Sequence, residues 1–208
     1  MSNTIVFGLI AMAFLLALIS YVLVQEVRAQ RHWRSLVRQG DQAAIRALVE
    51  EAMNGWRRGR PPKGVGVSVW GGVQSAEIVQ VSPDAIRLST AAEGQYSGLG
   101  DQRREVSSPL QEGKKIFVKL QEMVLYDIPN VRFHEIQIDV YTTFRHEDGS
   151  AIQRCILSGA LDRGIAAEID WDRETPDQIV ERAKARFNIG RGGAAQPIEA
   201  VTLVEFPA

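Results

Sequence analysis

The sequence predicts an α+β protein: a single N-terminal transmembrane helix and helical stalk, then a mainly antiparallel β domain with one C-terminal helix. Three observations carry this prediction. Residues 5–24, IVFGLIAMAFLLALISYVLV, contain no charged side chain. From residue 65 onward, apolar residues recur with a period of two. Near the C-terminal end, Thr175-Pro176-Asp177-Gln178 joins a cap, a proline at the first helical position and a capping-box glutamine.

The chain has 208 residues and a formal net charge of -1, so it exerts no general pull on polyanions and no nucleic-acid partner is expected. Cys155 is the one cysteine, which rules out an intrachain disulfide and fits a reducing compartment. Its expected role is that of a small buried hydrophobe.

Residues 1–4 form a short tail. As a helix, residues 5–24 would rise roughly 30 Å, the thickness of a bilayer core, so they are expected to contact and span the membrane. The leading MSNT carries no Lys or Arg and the apolar run exceeds about 7–15 residues, so an uncleaved anchor is preferred to a signal peptide. Arg28, Arg31, Arg34 and Arg38 follow the run and no basic residue precedes it. The expected topology is single-pass in the cell membrane, N-terminus out and C-terminal domain cytoplasmic.

Residues 25–55 read as a basic helical stalk. Trp33, Leu36 and Val37 share helical spacing, and Trp33 either packs on the domain or sits at headgroup level. Gly40 interrupts the pattern and Asp41 caps a second helix. There Ala44, Ile45, Leu48, Val49, Ala52 and Met53 form one apolar stripe, and Asn54-Gly55 is the expected end. Residues 56–64, WRRGRPPKG, form a basic linker, and residues 65–208 the α+β domain.

Within that domain, residues 65–70, 74–82 and 84–90 read as short strands, with Ser82-Pro83-Asp84 as a turn. Residues 91–113 read as a long polar loop. Residues 114–128 and 131–145 read as two longer strands, separated by Pro129-Asn130. Residues 151–159 and 164–171 continue the β pattern. A helix over 176–188 presents Ile179, Val180, Ala183 and Phe187 to the core, Gly190 ends it, and residues 198–206 form a last strand.

Residues 133–150, FHEIQIDVYTTFRHEDGS, hold two of the three histidines. Side-chain alternation puts His134, Ile136, Ile138, Val140, Thr142 and Phe144 on one face, and Glu135, Gln137, Asp139, Tyr141, Thr143 and Arg145 on the other. Asp148-Gly149 is a two-residue hairpin signal, which sets Thr142 opposite Cys155 and Val140 opposite Leu157. His134 and His146 then lie about 40 Å apart along the strand, too far to share a metal.

Asp170, Asp172, Glu174 and Glu181 have the spacing of a calcium loop, but Thr175 stands where its glycine is required, so no metal is expected. The glycines at 64, 66, 71 and 72 fit neither a dinucleotide fingerprint nor a phosphate loop, so no cofactor is expected. No nucleophile elbow is present and no catalytic residue is assigned. After the basic linker, Gln80-Val81-Ser82-Pro83-Asp84-Ala85 faintly resembles a motif of the PilZ domain, which binds cyclic dinucleotides. Only Ser82 matches; Gln80 and Ala85 replace the other residues of that motif, so family membership does not follow.

The expected function is non-enzymatic: a membrane-anchored cytoplasmic domain that binds a protein partner or supports a membrane complex. One alternative is a sensing module for an anionic ligand. Another is an enzyme whose site is assembled by the fold from Glu135, Asp139 and Tyr141. Arg28, Arg31, Arg34, Arg38, Arg57, Arg58, Arg60 and Lys63 are the candidate contacts to anionic lipid or ligand.

Overall fold

Four strands make a mixed sheet in the order β1 (Glu77–Val81), β2 (Ala85–Ala91), β5 (Glu135–Arg145), β6 (Ala151–Asp162). The computed structural model describes residues 2–98, 102, 104–145, 148–191 and 193–206. His146 and Glu147, at the hairpin tip, lie outside the described residues. β1–β2 and β5–β6 are antiparallel, whereas β2–β5 is parallel. A parallel pair needs a crossover, and here it carries a hairpin of β3 (Gln95–Ser97) and β4 (Arg104–Ser107), then helix α4 (Pro109–Tyr126). The sheet is thus mixed, and the domain holds several helices where one was expected.

Helix α1 (Ser2–Arg38) is unbroken. Among the described residues, no helix is long and apolar enough to cross a membrane. This corrects the expected anchor, its orientation and its cell-membrane location. Residues 14–25 of α1 carry exposed, uncharged side chains. Beyond them Arg28, Arg31, Arg34 and Arg38 recur along the helix and are exposed. The far end of α1 meets the domain: Arg34 Nε donates to Asn130 Oδ1 at 2.8 Å, and Val37 packs on the core. The Trp33 side chain lies outside the described residues.

Gly40, at φ 73°, turns the chain into α2 (Gln42–Arg58). The Asp41 carboxylate accepts from the backbone N–H groups of Ala43 and Ala44, as a helix cap should. The expected stripe is observed: Ala44, Ile45, Leu48, Val49 and Met53 are buried and Ala52 packs against them. The helix runs past Asn54-Gly55 to Arg58, because Trp56 adds another buried anchor to the same face.

Two expected strands are helices. Residues 65–70 fall largely in α3 (Val67–Gln74), whose Trp70 Nε1 donates to Gly59 O at 3.0 Å. Residues 114–128 fall almost wholly in α4, which buries Leu110, Gly113, Ile116, Phe117, Leu120 and Val124 at helical spacing. Ser108 and Gln111 form its capping box, with Pro109 in the first turn. The apolar side of β5 faces this helix: a Cβ on Gly113 would sit 3.2 Å from Val140 Cγ1.

Val140 pairs with Leu157 as expected, but a bulge then shifts the register, so Tyr141 rather than Thr142 faces Cys155. Residues 164–171 are not a strand; they contain α5 (Arg163–Ala166) and turns. Helix α6 (Pro176–Arg182) keeps its expected Thr175–Gln178 box but stops early, with Lys184 at φ 48°. Phe187 therefore lies beyond the helix, partly buried beneath Lys114 Nζ at 4.3 Å. β7 (Asn188–Ile189) and β8 (Ala195–Gln196) form a small hairpin. Residues 198–206 form no strand, but Ile198 bridges to Cys155.

The α3–α4 contact gives a testable consequence. A methyl group at Gly72 would collide with the Ile116 side chain. Gly72→Ala is expected to cost about 1–3 kcal/mol by overpacking. In urea unfolding, Ile116→Ala should recover part of that loss, making the pair less damaging than the sum of its members. Simple additivity would show that these helices do not meet at Gly72.

Candidate functional site

Two fully buried carboxylates and one open cleft hold most of the polar chemistry. The first carboxylate is Asp139, on the face of β5 that alternation sets opposite the apolar one. It is buried, and both of its oxygens are engaged. Oδ2 pairs with Arg87 Nε at 2.7 Å; Oδ1 accepts from Ser158 Oγ at 2.5 Å and Gln137 Nε2 at 3.0 Å. The C-terminal segment seals this group. Gln137 Nε2 donates to Val201 O at 2.8 Å, Leu203 N donates to Gln137 Oε1 at 2.7 Å, and Arg87 Nη1 reaches Thr202 Oγ1 at 2.8 Å.

Glu135, by contrast, is exposed, and Tyr141 is half-buried with its pKa raised by burial and by the Asp139 charge. Glu135, Asp139 and Tyr141 therefore do not share one open surface. Nearby, burial and the same Asp139 charge push the Cys155 thiol up to about 11. At neutral pH it is a thiol, not a nucleophile.

The second carboxylate, Glu112, stands in the first turn of α4 and is fully buried. It accepts from Ser107 Oγ at 2.7 Å, Ser68 Oγ at 2.5 Å, Gln95 Nε2 at 2.9 Å and Lys115 Nζ at 2.7 Å. Burial acts to raise its pKa, but these four donors outweigh it and hold the carboxyl at about 2. α3, β3, β4 and α4 all meet on this group.

The cleft, of about 800 Å3, opens at the foot of α1. Arg38 enters from α1, Pro83 and Asp84 from the β1–β2 turn, Tyr126 from the end of α4, and Arg132 and Arg163 from the flanks of β5 and β6. Leu125, Ile128 and Val131 form its apolar wall. The Arg163 guanidinium is fixed by the carbonyls of Phe133, at 2.6 Å from Nε, and Leu125, at 3.3 Å from Nη2. Burial holds its pKa below the usual guanidinium value; Tyr126 acts against this and Arg132 with it.

The sequence-predicted basic residues scatter. Arg38 lines the cleft and Arg34 sits at its edge through Asn130. Arg28 and Arg31 lie further back on α1. Arg57 bonds Asn54 Oδ1 at 3.0 Å and Ala76 O at 2.8 Å. Arg58, Arg60 and Lys63 are exposed. Sequence reading missed Arg132 and Arg163, which have no local pattern.

Of the calcium-spaced residues, Glu174 is turned to Arg182 Nε at 2.8 Å, and Asp170 lies 3.7 Å from Arg173. Among the described residues, no three His, Cys, Asp or Glu side chains group to hold a metal. Ser82 closes the β1–β2 turn by accepting from Ala85 N at 3.0 Å. No family model matches the chain, and no curated protein or solved structure matches it.

The depressed Glu112 pKa sets a pH dependence. Its value is about 2 in the fold against 4.5 for a free carboxyl. The stabilisation is therefore complete above about pH 4.5 and lost as pH falls through about 2. Glu112→Gln should lower stability by about 2–3 kcal/mol at pH 7. In urea titrations, the gap from wild type should shrink towards zero near pH 2. An equal gap at both pH values would mean the buried group is not ionised.

Proposed function

We propose that this protein is a non-enzymatic binding protein, with α1 as the element that docks a protein partner. The observation that carries this reading is the exposure of residues 14–24 of α1 on all sides. At 3.6 residues per turn, Phe14, Leu15, Leu16 and Val24 point in four directions roughly 100° apart or less. All four are exposed, Phe14 by 71 %, as are Leu18, Ile19, Tyr21, Val22 and Leu23. Contiguous exposed apolar surface of this kind marks an interaction site.

A helix that is apolar all round is stable when it is enclosed. A single groove would leave the opposite side wet, so the partner that fits is a protein that packs helices around α1. The attachment is directional: Arg34 and Val37 fix the far end of α1 to the domain, so a partner on α1 is tethered to it.

Photo-crosslinkers at Phe14 and Leu16, on opposite sides of α1, test this in the full-length chain expressed in its own cell. Both positions should join to the same protein. Lipid adducts without a protein adduct, or a protein adduct from one side alone, would overturn the reading.

A further inference from the structure

The cleft at the foot of α1 has more positive charge than its surroundings balance. Arg38, Arg132 and Arg163 line it, against the single carboxylate of Asp84. Among the described residues, none of these three arginines forms an ion pair, and Asp84 pairs with none of them. Elsewhere the fold does match buried or half-buried charge with a counter-charge, as at Arg87–Asp139 and Lys114–Asp177.

Arg163 is also preorganised. Two backbone carbonyls, from Phe133 and Leu125, fix its guanidinium before any ligand arrives. A fixed planar guanidinium flanked by further arginines suits a phosphate group, which accepts paired N–H bonds. The opposite wall is apolar, and Tyr126 stands exposed at the lip. The volume, about 800 Å3, lies within the range of small-molecule sites.

We propose that this cleft binds a phosphate-bearing small molecule of nucleotide size. Arg38, Arg132 and Arg163 take the phosphate, and Tyr126 with the apolar wall takes the body. The site is separate from the docking surface of α1.

Titration calorimetry on the full-length chain in mild detergent tests the proposal with four probes: inorganic phosphate, AMP, adenosine and a short-chain phosphatidate. AMP is expected to bind, inorganic phosphate more weakly, and adenosine not at all. Arg132→Gln and Arg38→Gln should each weaken AMP at least tenfold while leaving the melting temperature unchanged. Neither residue donates to the backbone in the way Arg163 does, so both variants should fold. Rising salt should weaken binding. The proposal fails if AMP and phosphate give no heat at millimolar concentration, or if adenosine binds as well as AMP. Unchanged affinity in both variants would also refute it. Tighter binding of phosphatidate than of AMP would assign the site to a lipid headgroup and overturn the soluble ligand.

Discussion

An ionised carboxylate in the centre of a sheet is tolerated only with a full set of partners, and Asp139 obliges the surrounding chain to supply them. Removing one partner from a buried pair of this kind typically costs about 3–5 kcal/mol. Arg87 reaches Asp139 because β2 and β5 run parallel with Ser89 beside Asp139. Ser158 reaches it because β6 pairs antiparallel on the other side. Gln137, two residues away on the same face, completes the set and links it to the C-terminal segment. One side chain thus fixes the register of three strands and the path of the last residues. That register in turn sets the ends of β2 and β5 between which the cleft opens.

Glu112 performs a similar task on the helical side of the sheet. It joins α3, the β3–β4 hairpin and α4 through short hydrogen bonds to one carboxylate. Both buried acids are fully engaged and neither faces an open pocket. Among the described residues, the cleft gathers three arginines without an ion pair, and α1 carries a run of exposed apolar side chains. Internal charge in this chain therefore maintains the fold, and surface imbalance is where binding is to be sought.

Much of this was legible in the residues. The α2 stripe, the Asp41 cap and the Thr175–Gln178 box each rest on local rules that the fold obeys. The largest misreading, α4 as a strand, has an instructive origin. Ser108-Pro109-Leu110-Gln111 carries the same capping signature as Thr175-Pro176-Asp177-Gln178, but it sits at the end of a long polar, glycine-rich stretch that masks it. The apolar residues after it satisfy both periods over a short window. Alternation alone does not reveal that a covering segment buries the polar face of β5. Residues 198–206 had the apolar alternation of such a cover but were assigned to the sheet. Arg132 and Arg163 come together only through tertiary structure and left no signal in the sequence.

The C-terminal segment lies sealed over Gln137 and Asp139. Hydrogen exchange at the Leu203 amide, which donates to Gln137 Oε1 at 2.7 Å, tests this most directly. The amide should exchange as slowly as those of β5 in the wild-type chain and fast in Gln137→Ala. Fast exchange in the wild type would mean that the segment is undocked and the polar face of β5 is open, which would contradict a structural role for its buried acid.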